Sequence, residues 1–108
     1  HFVMVSALDA DHPLSHFPQI APYMVAKKAA DDYLRASKVP YTVLRPGRLT
    51  DDPGSGEVST TFETTGPKVI SRENVSGCIL AALASVPEAQ GRVLDLVDGD
   101  QPIKALFT

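Results

Sequence analysis

Tyr23-Met-Val-Ala-Lys27-Lys-Ala-Ala-Asp-Asp-Tyr-Leu-Arg-Ala-Ser37, followed closely by Tyr41-Thr-Val-Leu-Arg45-Pro-Gly47, is the stretch that decides the fold. In its first part Ala26, Ala30, Tyr33, Leu34 and Ser37 recur at spacings of three and four, and alanine is frequent, which predicts a helix over 23–37. Pro22 fits a first helical turn, Arg35 and Lys38 suit the negative end of the helix dipole, and Pro40 forbids continuation. The second part is rich in β-formers and predicts a strand over 41–45, ended by Pro46-Gly47. A helix feeding directly into an apolar strand is half of an α/β crossover unit.

On the N-terminal side, Phe2-Val-Met-Val-Ser-Ala7 is an apolar, β-branched run of the kind buried on both faces of a parallel sheet. Residues 9–22 are polar and proline-bearing, which predicts a long loop, and loops of that length in compact domains are usually functional. On the C-terminal side, 51–56 is turn-rich. Residues 57–63 alternate, with Val58, Thr60 and Phe62 on one face, and predict a short strand. Gly66-Pro67 predicts a turn, and 68–70 a further extended piece completing a small strand pair. Ser71 is a good N-cap, Ile70 and Val75 are placed as a hydrophobic staple, and Val75, Cys78, Ile79, Ala82, Leu83 and Val86 form an apolar stripe closed by Pro87. Residues 92–98 predict the last strand, and 103–107 a final helical turn. The alternation implies an α/β fold with parallel strands joined by right-handed helical crossovers.

Composition narrows the function. The 108 residues are 44% hydrophobic and 21% charged, the range of a soluble globular domain. A net charge of −3 and no basic cluster beyond Lys27-Lys28 argue against a nucleic-acid partner. No apolar run reaches the roughly 20 residues needed to span a bilayer, and the expectation is a cytoplasmic protein. Cys78 is the single cysteine, so no intrachain disulfide or cysteine-based metal framework can form, and it is expected as a small buried hydrophobe. His12 and His16 share a helical spacing but lack a third ligand beyond Asp9 and Asp11, so no metal site is expected. Asp31, Asp32 and Lys28 are expected on a solvated helix face, Asp51 and Asp52 in turn hydrogen bonds, and Tyr33 and Tyr41 in packing.

One constellation carries chemistry. Tyr23 and Lys27 lie one turn apart on a common helix face. Ser6 lies near the carboxyl end of the preceding strand, and Pro46-Gly47-Arg48 follows the next. In open α/β sheets, ligands bind beyond those strand ends. A phenol is a weak acid near neutral pH, with a reference pKa of about 10, and an adjacent ammonium together with a cationic nicotinamide favours phenolate. Tyr23 can then exchange a proton with a substrate carbonyl or alcohol, Ser6 can hydrogen-bond the same oxygen, and Lys27 can hold ribose hydroxyls. Arg48 is placed to meet an anionic substrate or phosphate, or to form a structural salt bridge.

These stretches, with Ile70-Ser-Arg-Glu-Asn-Val75 and Val93-Leu-Asp-Leu96, resemble the atypical short-chain dehydrogenase/reductases, in particular their NmrA-like NAD(P)-binding branch. The resemblance spans nearly the whole chain. It implies the C-terminal part of a Rossmann-like NAD(P)-binding fold, a parallel sheet with flanking helices and NAD or NADP across its edge. Carried over by position, Ser6 and Ala7 face the nicotinamide ribose, Tyr23 and Lys27 form the proton-transfer and ribose-binding pair, and Pro46, Gly47, Arg48 and Leu49 wall the nicotinamide. The implied activity is that of an oxidoreductase or epimerase-like enzyme acting on a small molecule. The alternatives are an NmrA-like regulator that binds NAD(P) without turnover, and a structural remnant with no ligand.

Two departures stand out. No Gly-x-x-Gly-x-x-Gly occurs, and Gly54 and Gly56 follow a late strand and open no long helix, so no phosphate cradle is present. The interval from Ser6 to Tyr23 also exceeds the family's usual one. The chain opens at His1 with strand character from Phe2, so residues 1–108 are expected to be the C-terminal half of a single NAD(P)-binding domain, with the phosphate-binding half absent. Such a chain is expected to bind NAD(P) poorly, to be inactive by itself, and to self-associate through the open edge of its first strand.

Overall fold

The computed structural model of the chain describes residues 1–8, 21–61 and 68–107. Its elements are β1 (Phe2–Val5), α1 (Ala21–Ala36), β2 (Tyr41–Pro46), β3 (Arg48–Thr50), β4 (Glu57–Ser59), β5 (Val69–Ser71), α2 (Arg72–Ala84), α3 (Val86–Ala89), β6 (Arg92–Asp98) and β7 (Gln101–Pro102), with a 3₁₀ turn at Ile103–Ala105. The expected loop with His12 and His16, the Gly66-Pro67 turn and the end of the 57–63 strand lie outside the described residues.

The main sheet has the order β1-β2-β6-β4-β7. β1, β2 and β6 are parallel, as their apolar runs predict. β4 lies antiparallel between β6 and β7, so the parallel core carries an antiparallel flank that the alternation did not announce. Among the described residues, the expected strand pair between 57–63 and 68–70 does not form. β4 joins the main sheet, while β5 pairs in parallel with β3, and together they make a separate two-stranded sheet.

Helices cover both faces of the sheet. Leu44, Leu94 and Leu96 form the core with Val75, Cys78 and Ala82 of α2 and with Leu106 and Phe107. Arg45 alternates with Leu44 and so points to the opposite face, where it meets Asp31 of α1. Burying one leucine such as Leu44 contributes about 1.5–3 kcal/mol, so this small core is sensitive to each member.

The helix ends follow the sequence signals. Ser71 caps α2, accepting the Asn74 N–H at 3.0 Å, and Ile70 and Val75 are both buried at its start. Ser37 closes α1 by donating its hydroxyl to the Leu34 carbonyl at 2.6 Å. Pro87 does more than stop a helix. α2 ends at Ala84, and Pro87 sits in the first turn of α3, where its missing N–H is harmless. Leu83 falls outside the apolar stripe and is exposed, because the stripe turns with Val75, Cys78 and Ala82 toward the sheet. Tyr33, expected to pack, is 81% exposed on the outer side of α1.

Candidate functional site

β1, α1, β2 and the small β3–β5 sheet enclose one groove at the carboxyl end of the parallel strands. Its volume is about 670 Å³, and Ser6, Ala7, Tyr23, Lys27, Pro46, Gly47, Arg48 and Leu49 all line it, joined by Val5, Leu8, Met24, Lys68 and Arg72. The structure thus brings together every residue selected from the sequence for this site.

Backbone pairing builds the floor. Beyond β1, Ser6 N donates to the Leu44 carbonyl at 2.7 Å and Leu8 N to the Pro46 carbonyl at 2.9 Å, so the chain stays in register past the strand end. Gly47 N then donates to the Leu96 carbonyl at 2.9 Å, and Arg48 N to the Lys68 carbonyl at 2.8 Å. Glycine is required at 47 by proximity: a Cβ there would stand 2.3 Å from the Lys68 carbonyl oxygen.

Tyr23 and Lys27 occupy the expected common face of α1. The Lys27 ammonium lies 5.4 Å from the Tyr23 ring centroid and donates to the Val5 carbonyl at 3.1 Å. Cation–ring contact of this kind holds the two side chains together. Tyr23 is 54% exposed, and its hydroxyl makes no hydrogen bond among the described residues. Ser6 is the opposite case. It is 3% exposed, and its Oγ is buried with no hydrogen-bond partner among the described residues. A buried hydroxyl left unsatisfied costs about 1–3 kcal/mol, which a ligand or water at that point recovers.

Two polar arrangements escaped the sequence. Asp31, expected in solvent, is fully buried, and its Oδ2 accepts from Arg45 Nε at 3.0 Å and Nη2 at 2.8 Å. An arginine inside an apolar strand was the available signal, since a buried guanidinium requires a carboxylate or carbonyl partner. Asn74 is also buried. Its Nδ2 donates to Asp98 at 2.9 Å and Ser55 at 3.1 Å, and its Oδ1 accepts from Gly56 N at 3.0 Å, tying the 51–57 loop and β6 to the start of α2. Asp51 makes an exposed ion pair with Arg72 at 2.6 Å rather than the expected turn contact. Lys28 and Asp32 lie on the expected solvated face, where they pair at 2.7 Å.

Cys78 is buried, and burial pushes its thiol from 9.0 up to about 11. It lies in the core away from the groove, as expected of a packing residue. No group of three or more His, Cys, Asp or Glu side chains among the described residues has the geometry of a metal site. No helix among them is long and apolar enough to cross a membrane.

A sheet with a parallel core and helices on both faces, and a groove at the strand ends lined by Ser, Tyr and Lys, defines a Rossmann-like nucleotide-binding protein. Within that class the chain belongs to the NAD(P)H-binding family, whose sequence model matches residues 1–86. It is 40% identical over 102 residues to the Bacillus subtilis protein named uncharacterized sugar epimerase YhfK, covering 94% of this chain and 47% of that one. It is 30% identical over 110 residues to the UPF0659 protein YMR090W of Saccharomyces cerevisiae, covering 95% and 48%. A solved Bacillus halodurans structure, assigned as an NAD-dependent epimerase/dehydratase, superposes with a TM-score of 0.91 at 29% identity, covering 99% of this chain and 50% of that one. The chain therefore spans about half the length of the curated relatives it matches.

The residues present fit one end of an NAD(P) molecule. The Lys27 ammonium, with donors beyond the one given to Val5, has the chemistry to meet ribose hydroxyls, and the Pro46–Leu49 segment lines the same groove. The pyrophosphate finds no glycine-rich turn in this sequence.

Proposed function

We propose that the protein containing this sequence is an NAD(P)-dependent oxidoreductase or epimerase-like enzyme with Tyr23 as its acid/base. The nicotinamide, when bound, supplies or accepts hydride. Tyr23 donates or takes the proton at the substrate oxygen, Ser6 Oγ hydrogen-bonds that same oxygen, and Lys27 holds the ribose. The observation that carries this reading is that Ser6, Tyr23 and Lys27 line one groove at the strand ends, with the Lys27 ammonium 5.4 Å from the Tyr23 ring centroid. In this reading residues 1–108 are the nicotinamide-side half of one domain, and the pyrophosphate-binding turn lies in sequence outside them.

The test is Tyr23→Phe in the full natural chain. Carbonyl reduction is expected to fall by about 10²–10⁴ with NADPH affinity retained; unchanged turnover would refute the role of Tyr23. The second reading is an NAD(P)-binding regulator without turnover: the Tyr23 hydroxyl makes no hydrogen bond among the described residues, and one Lys27 N–H is engaged by the Val5 carbonyl. That reading expects NADPH binding, no turnover and no effect of Tyr23→Phe. For the isolated chain, we infer weak cofactor binding and self-association through β1, whose side away from β2 pairs with no strand among the described residues.

A further inference from the structure

The charge of the groove is one-sided. Lys27, Arg48, Lys68 and Arg72 line it, and among the described residues none of its lining is acidic. Lys27 is engaged with Val5 and Tyr23, on the α1 side. The other three stand together on the β3–β5 wall, and the backbone holds them there. Arg48 N bonds the Lys68 carbonyl at 2.8 Å, an approach the bare Gly47 permits, and Thr50 of β3 pairs with Ser71, the residue before Arg72.

Arg48 is exposed, and its guanidinium has no partner among the described residues. Arg72 contacts Asp51 through Nη1, but that pair is solvent-exposed, and the remaining N–H groups of the fork stay available. Lys68 has contacts of its own within the chain and adds charge to the wall. Independently of the cations, the groove holds the buried Ser6 Oγ that lacks a partner. Ser6, Tyr23 and Lys27 thus lie on one side of the groove and two arginines on the other.

We propose that the substrate of this site is an anionic carbonyl or alcohol compound whose carboxylate or phosphate is held by Arg48 and Arg72 with support from Lys68. The proposal rests on the oxidoreductase reading for its reacting end and on the charged wall for its anionic end. The anion is the substrate's rather than the cofactor's. Rossmann-type folds hold the pyrophosphate at a glycine-rich turn opening a helix after the first strand, whereas this wall belongs to β3, β5 and the start of α2. Arginine forks match the planar geometry of carboxylate and the oxygens of phosphate.

The experiment uses the full natural chain and calorimetric titration with 2-oxoglutarate, its neutral dimethyl ester and inorganic phosphate, with and without saturating NADPH. The two anions are expected to bind in both conditions, and the ester at least about tenfold more weakly than the acid. Arg48→Gln and Arg72→Gln are each expected to weaken the acid by about tenfold, within the range of one charged hydrogen bond. The affinity is also expected to fall as salt rises. Both positions are exposed, and circular dichroism checks that the variants fold. Equal binding of acid and ester, absence of anion binding, or displacement of the anions by NADPH each overturns the proposal. Failure of the oxidoreductase reading shows up separately, as unchanged turnover in Tyr23→Phe, and leaves the cofactor-free anion titration to decide this one.

Discussion

Arg45 on β2 grips Asp31 on α1 with two nitrogens on a single carboxylate oxygen, at 3.0 and 2.8 Å, inside the protein. Asp31 lies one turn beyond Lys27 and two beyond Tyr23 on the same helix face. The pair therefore fixes the rotation of α1 about its axis and, with it, the direction in which the two groove side chains face. It also anchors α1 to the strand that runs into Pro46 and Gly47.

Removing one partner leaves the other charge buried, which costs about 3–5 kcal/mol. Asp31→Ala is expected to lose that much in urea unfolding. The double variant Asp31→Leu/Arg45→Met is expected to recover most of it, because an apolar pair carries no desolvation penalty. A single variant as stable as the parent would show that the contact is not formed in solution.

Gly47→Ala tests the wall of the groove. The added Cβ would meet the Lys68 carbonyl at 2.3 Å, so β3 and β5 must separate. The expected outcome is a loss of about 1–3 kcal/mol in stability, the range for overpacking, with weakened NADPH binding in the full natural chain. A thermal midpoint and cofactor affinity equal to the parent's would contradict the close approach.

Cys78 gives a pH dependence with a definite sign. Its thiol is held at about 11 in the folded chain against 9.0 when free, so folding favours the neutral form. The thiol's contribution is complete below pH 9. It is lost as pH rises toward 11, because the unfolded chain ionises first, and the loss is on the order of 2 kcal/mol. Unfolding measured at pH 8 and pH 10.5 should show that alkaline loss in the parent and a smaller one in Cys78→Ala. In the native chain a thiol reagent should leave Cys78 unmodified, since the buried neutral thiol is a poor nucleophile.

The open side of β1 has a distinguishable donor set. The amides of Phe2, Ser6 and Leu8 point to β2, so those of Val3 and Val5 point away from it. Val3→Pro removes one outward N–H while sparing the β2 ladder. The isolated chain should self-associate with rising concentration, and the variant should do so less, as measured by light scattering coupled to size-exclusion chromatography. A parent that stays monomeric at high concentration would remove the case for association through this edge.

Long-range order was legible where a run of residues carries its own period. Ala21–Ala36 shows enough repeats to reveal a helix, and Phe2–Val5, Tyr41–Pro46 and Arg92–Asp98 lie in apolar, β-branched runs that reveal buried strands. β3 and β5, at three residues each, are too short to show any period, and their pairing depends on the turn at Gly47. The antiparallel placement of β4 is decided by its partners β6 and β7. The groove was legible because the strand-end rule gathers Ser6, Tyr23, Lys27 and Gly47 without knowledge of side-chain contacts. Asp31 was not, since nothing within its helix distinguishes it from the solvated Asp32, and its partner is fourteen residues away.

The hydrogen bond from Lys27 to the Val5 carbonyl joins two matters that are usually separate. That oxygen belongs to the outward row of β1, so the same ammonium that serves the groove also masks part of a sticky border. In the isolated chain, replacing Lys27 would uncover that carbonyl and add one acceptor to the open edge. Lys27 therefore ties the groove to the outer border of β1, and a change at that one position is felt in both places.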